Sequence, residues 1–170
     1  MLRKYSRIFA VITVAVMISV LLAGCSGGGT IKKPEMKEGA TAVTVTGSCD
    51  IKVENGVITV SGETNLLAGS IIYISVEAQN GLTLDSFKVT QGEDSKVSHD
   101  FTITDDKYDA SVTSVVGHIS CAPRLYGTQP TNVYGTYGDK FENIVSDGNI
   151  VWNTSGVTVV FASQIVDLNK

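Results

Sequence analysis

The hydrophobic pattern of this chain has two regimes. Residues 8–22 (IFAVITVAVMISVLL) form an unbroken apolar run, whereas from residue 41 apolar and polar positions alternate. Val43 and Val45 alternate with Thr44 and Thr46, and Ile51 and Val53 with Asp50, Lys52 and Glu54. Asn55-Gly56 separates this second run from Val57-Ile58-Thr59-Val60. Both turn residues tolerate the positive φ of a type I′ turn, so 49–62 reads as a β-hairpin. Ile72, Ile74 and Val76 share one face of a strand at 71–76, closed by Asn80-Gly81. Further short strands are expected at 87–89, 101–103, 111–120, 150–152 and 157–162, where β-branched and aromatic residues suit a pleated surface. Residues 132–137 are one more candidate strand. Nowhere does spacing of three and four persist, and 141–148 (FENIVSDG) is the one place where a short helix is expected. About 7–9 short strands with turn signals between them predict an all-β protein, an immunoglobulin-like or fibronectin-like β-sandwich. A jelly roll or small β-barrel is the alternative. No internal repeat breaks residues 41–170 into more than one domain.

The amino-terminal run has a different meaning. Arg3, Lys4 and Arg7 precede it and Ala23-Gly24-Cys25 follow it, the order of a secretory signal peptide. At 1.5 Å per residue the run spans roughly 22 Å, short of a bilayer core of about 30 Å. Leu22-Ala23-Gly24-Cys25 resembles the lipobox of bacterial lipoproteins. The resemblance implies cleavage of residues 1–24 and a diacylglycerol thioether on Cys25, with palmitate-type chains holding the protein to a membrane. Two acyl chains give stable anchoring where one gives only marginal binding. Residues 25–40 then form the acylated cysteine and a Ser/Gly-rich tether, with an r.m.s. span of roughly 20 Å. The expected location is a membrane-anchored one on the extracytoplasmic side, at the cell surface or in the periplasm.

Charge agrees with this reading. The whole chain has 13 basic and 17 acidic residues, a net charge of -4. Loss of Arg3, Lys4 and Arg7 leaves 10 basic residues against 17 acidic, a net charge of -7. Such a body is not drawn to anionic lipid, and it lacks the basic face that nucleic acid requires.

Cys49 and Cys121 remain once Cys25 is acylated, an even number in an exported protein. A disulfide between them is expected, closing a loop of about 70 residues. A metal site is not expected. His118 and Cys121 have an H-x-x-C spacing without further ligands, and Asp105, Asp106 and Asp109 lack the glycine and terminal glutamate of a calcium loop. No cofactor motif is present, and no G-x-S-x-G, Walker loop or H-E-x-x-H occurs. Ser98, His99 and Asp100 are adjacent, so on a strand they alternate between faces and do not form a triad.

One segment stands out. Residues 124–138 (RLYGTQPTNVYGTYG) place Tyr126, Tyr134 and Tyr137 beside glycines. Tyrosine offers rigid amphipathic area, so these three are the candidate contact residues for a sugar or peptide; the alternative is that they pack the end of the sandwich. In 62–70 (GETNLLAGS), Asn65 is expected to cap a turn and Leu66 or Leu67 to plug the sandwich edge.

Gly62, Thr64-Asn65-Leu66 and Gly69, followed by the strand at 71–76, resemble a pattern in bacterial lipoproteins with an uncharacterised small β-sandwich domain. Gln129-Pro130, Val133 and Tyr137-Gly138 are similar to a second element late in those domains. Leu67 stands where that pattern has proline. The resemblance implies fold and location, and no activity. The expectation is thus a binding or interaction module at the cell envelope, whose partner is an envelope protein or glycan. Two alternatives are a wall-acting enzyme using turn carboxylates such as Glu93, Asp105 and Asp106, and a protease-inhibitor-like sandwich with an exposed loop.

Overall fold

The computed structural model describes residues 38–126, 131–145, 148–153 and 156–168. The signal segment, Cys25 and most of the tether lie outside the described residues. In chain order the elements are β1 (Val43–Thr46), β2 (Asp50–Glu54), β3 (Val57–Glu63), β4 (Ile71–Ala78), β5 (Thr83–Thr90), β6 (Lys96–Thr102) and β7 (Ser114–Cys121). A single helical turn, α1 (Thr131–Tyr134), precedes β8 (Phe141–Val145), β9 (Gly148–Asn153), β10 (Gly156–Ala162) and β11 (Val166–Asp167).

These strands form a β-sandwich. One sheet has the order β2-β3-β6, and the other β5-β4-β7-β10-β9, with β11 pairing the start of β7. Strands two to seven and ten follow the immunoglobulin-like order, in which strands A, B and E face strands C′, C, F and G. The expected hairpin is present: Asp50–Glu54 pairs antiparallel with 57–61, and Asn55 (φ 51°) and Gly56 (φ 76°) make the turn between them. A glycine is favoured there because positive φ costs it nothing.

Period-2 alternation accounts for the core. Ile72, Ile74, Val76 and Ala78 of β4 and Val115, Ile119 and Cys121 of β7 face inward. Ile51, Ile58, Val60, Val97 and Phe101 of the smaller sheet meet them. Each fully buried aliphatic side chain contributes roughly 1.5–3 kcal/mol relative to exposure.

Three expectations are corrected. The segment 141–148 is not helical: Phe141–Val145 is a strand that pairs in parallel with β1. Residues 132–134 of the candidate strand at 132–137 belong to the helical turn Thr131–Tyr134 instead. Cys49 and Cys121 are not joined by a disulfide. Cys49 donates its thiol to the Gly117 carbonyl at 3.4 Å. Cys121 lies four residues further along β7, about 13 Å at strand rise, where a bridge needs Cα atoms within about 7 Å. Immunoglobulin domains bridge strands B and F directly. Here one cysteine precedes the A-like strand, and the other sits at the far end of the F-like strand.

Candidate functional site

The two segments that stand out in the sequence meet at one end of the sandwich. Residues 64–70 connect β3 to β4, and residues 122–155 connect β7 to β10. In immunoglobulin variable domains the corresponding B–C and F–G loops carry recognition. β1 also enters at this end. The Asn65 side chain accepts from the Thr46 N–H at 2.9 Å and donates to the Thr44 carbonyl at 3.0 Å, so it continues the ladder along β1. Leu66 is buried, and Leu67 is turned outward.

The three candidate tyrosines have three different environments. Tyr134 is 1% exposed and lies tilted against Phe141, with ring centroids 4.9 Å apart. Its hydroxyl accepts the Leu67 N–H at 2.6 Å and lies 2.9 Å from the Ser70 hydroxyl. Burial pushes its phenol upward from the usual range. Tyr134 therefore fastens the two loops together and presents no surface to a ligand, which corrects its place among the contact residues. Tyr137 is 42% exposed, and the Arg124 guanidinium sits 4.6 Å over its ring centroid. Its carbonyl accepts the Val157 N–H at 2.7 Å, which holds it at the start of β10. Trp152 pairs with the same Val157 from β9 and is 43% exposed. Leu67 and Leu125 are exposed at this end too. Apolar area, two aromatics and one cation thus share the loop end.

Tyr126 belongs elsewhere. It folds back over the outer face of the larger sheet, where its ring lies 4.2 Å from that of Tyr73 at 33°. Its hydroxyl is 3.1 Å from the Ser120 hydroxyl. Together with Ser75, Glu77, His118 and Thr158 these residues line a groove of about 310 Å³. The register explains the assembly. Tyr73 is opposite Ser120, and Ser75 is opposite His118, across the β4–β7 pair. All point away from the core because their neighbours point into it. His118 Nε2 faces Glu77 Oε2 at 3.4 Å, with both side chains largely covered. Burial lowers the His118 pKa, and the Glu77 carboxylate opposes that shift. Sequence reasoning passed over this pair because 41 positions separate the two residues. The available signal was the alternation itself: Tyr73-x-Ser75-x-Glu77 and His118-x-Ser120 interrupt two otherwise apolar strands.

Chemically, the groove offers hydrogen bonding and ring surface. Ser75, His118 and Glu77 are the residue types of a hydrolase triad, but His118 directs Nε2 to Glu77, and among the described residues no hydroxyl lies within hydrogen-bond reach of that nitrogen. The β4 and β7 backbones are committed to ladder bonds on both sides, which leaves no paired N–H groups for an oxyanion. The turn carboxylates do not converge. Glu93 and Asp94 lie at the loop end, and Asp105 and Asp106 lie past the opposite end of β6, about 20 Å away at strand rise. The Thr104 hydroxyl holds Asp106 below the usual carboxylate range in an exposed turn. His99 stacks on Phe87 with centroids 3.7 Å apart, and Asp100 accepts the Thr59 hydroxyl at 2.6 Å. Among the described residues no three His, Cys, Asp or Glu side chains gather as metal ligands do.

No protein-family model matches the chain, and no curated protein matches it in sequence.

Proposed function

We propose that the chain is a lipoprotein held by Cys25 at the extracytoplasmic face of a membrane, and that its sandwich is a binding module for an envelope component near that membrane. The observation that carries the module reading is the loop end. Leu67, Leu125, Tyr137 and Trp152 are exposed there, and Arg124 lies over the Tyr137 ring. Recognition surfaces are enriched in such aromatic and arginine anchors, whose burial supplies much of the binding energy. The anchoring reading rests on the basic start, the apolar run and the lipobox-like Leu22-Ala23-Gly24-Cys25. The two readings fit one another. Residues 38–42 lead into β1 at the loop end, so a tether from Cys25 brings that end toward the membrane.

The test uses the full chain in its own envelope. After brief crosslinking and detergent extraction, wild type is compared with Tyr137→Ala/Trp152→Ala and with Cys25→Ala. The expected result is a defined partner lost in the double variant. Cys25→Ala is expected to release the protein from the membrane and to abolish labelling by a fatty-acid probe. Retained capture by the double variant overturns the surface, and retained labelling of Cys25→Ala overturns the anchor.

A further inference from the structure

We propose that the groove on the outer face of the larger sheet is a second binding site, and that it takes a neutral oligosaccharide. Its lining dictates the ligand class. Among the described residues its lining holds no lysine or arginine; Lys88, opposite Tyr73 across β4 and β5, stands outside that lining, so the groove itself pairs no phosphate or carboxylate. The Glu77 carboxylate is acceptor-only and calls for donors. Its one side-chain partner among the described residues is the His118 imidazole, at a distance too long for a charge-assisted hydrogen bond. The hydroxyls of Ser75, Thr83, Ser86 and Thr158 have no side-chain or backbone acceptor among the described residues, so their capacity is unspent on the fold. A matching ligand is uncharged and brings several donors and acceptors.

The same lining requires one apolar face. Tyr73 and Tyr126 make a wall, held in place by the Tyr126 hydroxyl on Ser120. A sugar ring meets both demands: its C–H face stacks on an aromatic ring and its edge carries hydroxyls. A volume of about 310 Å³ lies at the small end of ligand sites, enough to hold a short oligosaccharide segment along an open groove. The β-sheet beneath is rigid because its other face is the core, so little ordering cost falls on binding. His118 is a positioning residue in this site. Its Nε2 is covered, so it acts on the ligand through the carboxylate it faces.

Calorimetry with the full chain in detergent tests the site. The probes are cellotetraose and tetra-N-acetylchitotetraose, with tetragalacturonate as the anionic control. At least one neutral probe is expected to bind with a dissociation constant of about 1 mM or tighter, and the anionic probe at least tenfold more weakly. Glu77→Gln keeps the shape but replaces two charged acceptor oxygens with one neutral carbonyl oxygen and an amide donor, and is expected to weaken binding at least tenfold. Ser75→Leu fills the groove from its floor and is expected to abolish binding. Tyr137→Ala, at the loop end, is expected to leave the affinity unchanged. Saturating sugar should shift the His118 ring resonances and leave those of His99 in place. The proposal falls if neither neutral probe binds at about 10 mM, if binding survives Ser75→Leu in a protein that melts as wild type does, or if the anionic probe binds best. Loss of binding in Tyr137→Ala would move the sugar to the loop end and overturn the groove.

Discussion

The two faces of the β4–β7 pair are built from the same two strands, with alternate residues assigned to different tasks. Inward, Ile72, Ile74, Val76, Val115 and Ile119 pack against the smaller sheet. Outward, Tyr73, Ser75, Glu77, His118 and Ser120 line an open groove. The inner face sets the register, because a slip of one residue would exchange the two sets entirely. The outer face is then positioned at no further cost in stability. Chemistry on a sheet face therefore comes with better-fixed geometry than chemistry on loops, whereas the loop end has larger exposed side chains and must be held by devices such as Tyr134.

Substitutions on the two faces should separate by their energies. Ile119→Ala empties a buried site between the sheets and is expected to cost about 2–5 kcal/mol in urea unfolding. Thr158→Ala, on the outer face, should stay within about 0.5 kcal/mol. Equal effects would break the distinction between faces.

Gly117 is a tight point of the inner face. A Cβ there would lie 2.9 Å from Val60 Cγ1 and 3.0 Å from Cγ2. The glycine carbonyl also accepts the Cys49 thiol and the Ser163 N–H, and its own N–H donates to the Ser163 hydroxyl, so Ser163 bridges the break between β10 and β11. Gly117→Ala is expected to destabilise by about 1–3 kcal/mol through overpacking.

At the loop end, Tyr134→Phe removes the acceptor for the Leu67 N–H and a partner of Ser70. The expected cost is about 1–2 kcal/mol, accompanied by faster proteolysis within 64–70. Tyr137→Ala should cost only about 0.5–1 kcal/mol, the scale of an exposed cation–π contact. If the two tyrosines proved equal in stability, the assignment of Tyr134 to fastening and Tyr137 to surface would fail.

The sandwich was legible in the sequence because burial on one sheet face writes a period of two, and because Asn55-Gly56 admits few alternatives to a hairpin. The parallel β1–β8 pairing was not legible, since residues 141–145 gain strand structure from a partner about 100 positions away rather than from their own alternation. The candidate tyrosines were visible as a group, but their separation was not. Whether a tyrosine is buried, laid on a sheet or exposed depends on the path of the chain between them. The groove was hidden for the same reason, although each of its strands advertised polar positions where apolar ones alternate.

The outer face should also respond to pH. The unfolded chain holds His118 near its ordinary value of 6.5, and burial in the folded protein holds it lower. As pH falls below 6.5 the unfolded state takes up that proton first, so stability falls; the loss levels off below the folded pKa. Melting temperatures between pH 7.5 and 5 should decline, and His118→Gln should flatten that decline. Glu77→Gln should steepen it, because the carboxylate favours the charged imidazole. An unchanged slope in His118→Gln would show that the pair does not report on folding.

The smallest expected effect concerns the cysteines, and it returns to the inner face. Burial pushes both Cys49 and Cys121 up to about 12, so neither thiol supplies a thiolate near neutral pH. Cys49 donates to a backbone carbonyl, and Cys121 is closed off in the core. Both thus act as small apolar side chains with the sulfur atoms held apart. Adding a thiol reductant is therefore expected to leave the melting temperature unchanged. Denatured, non-reduced protein should titrate two thiols besides Cys25, while the folded protein should react slowly. A bridge closing about 70 residues would contribute roughly 4 kcal/mol, so its reduction would lower the melting temperature by many degrees. Such a drop would mean that the ends of β2 and β7 lie closer than their packing here permits, and that the inner face is cross-linked rather than held by packing alone.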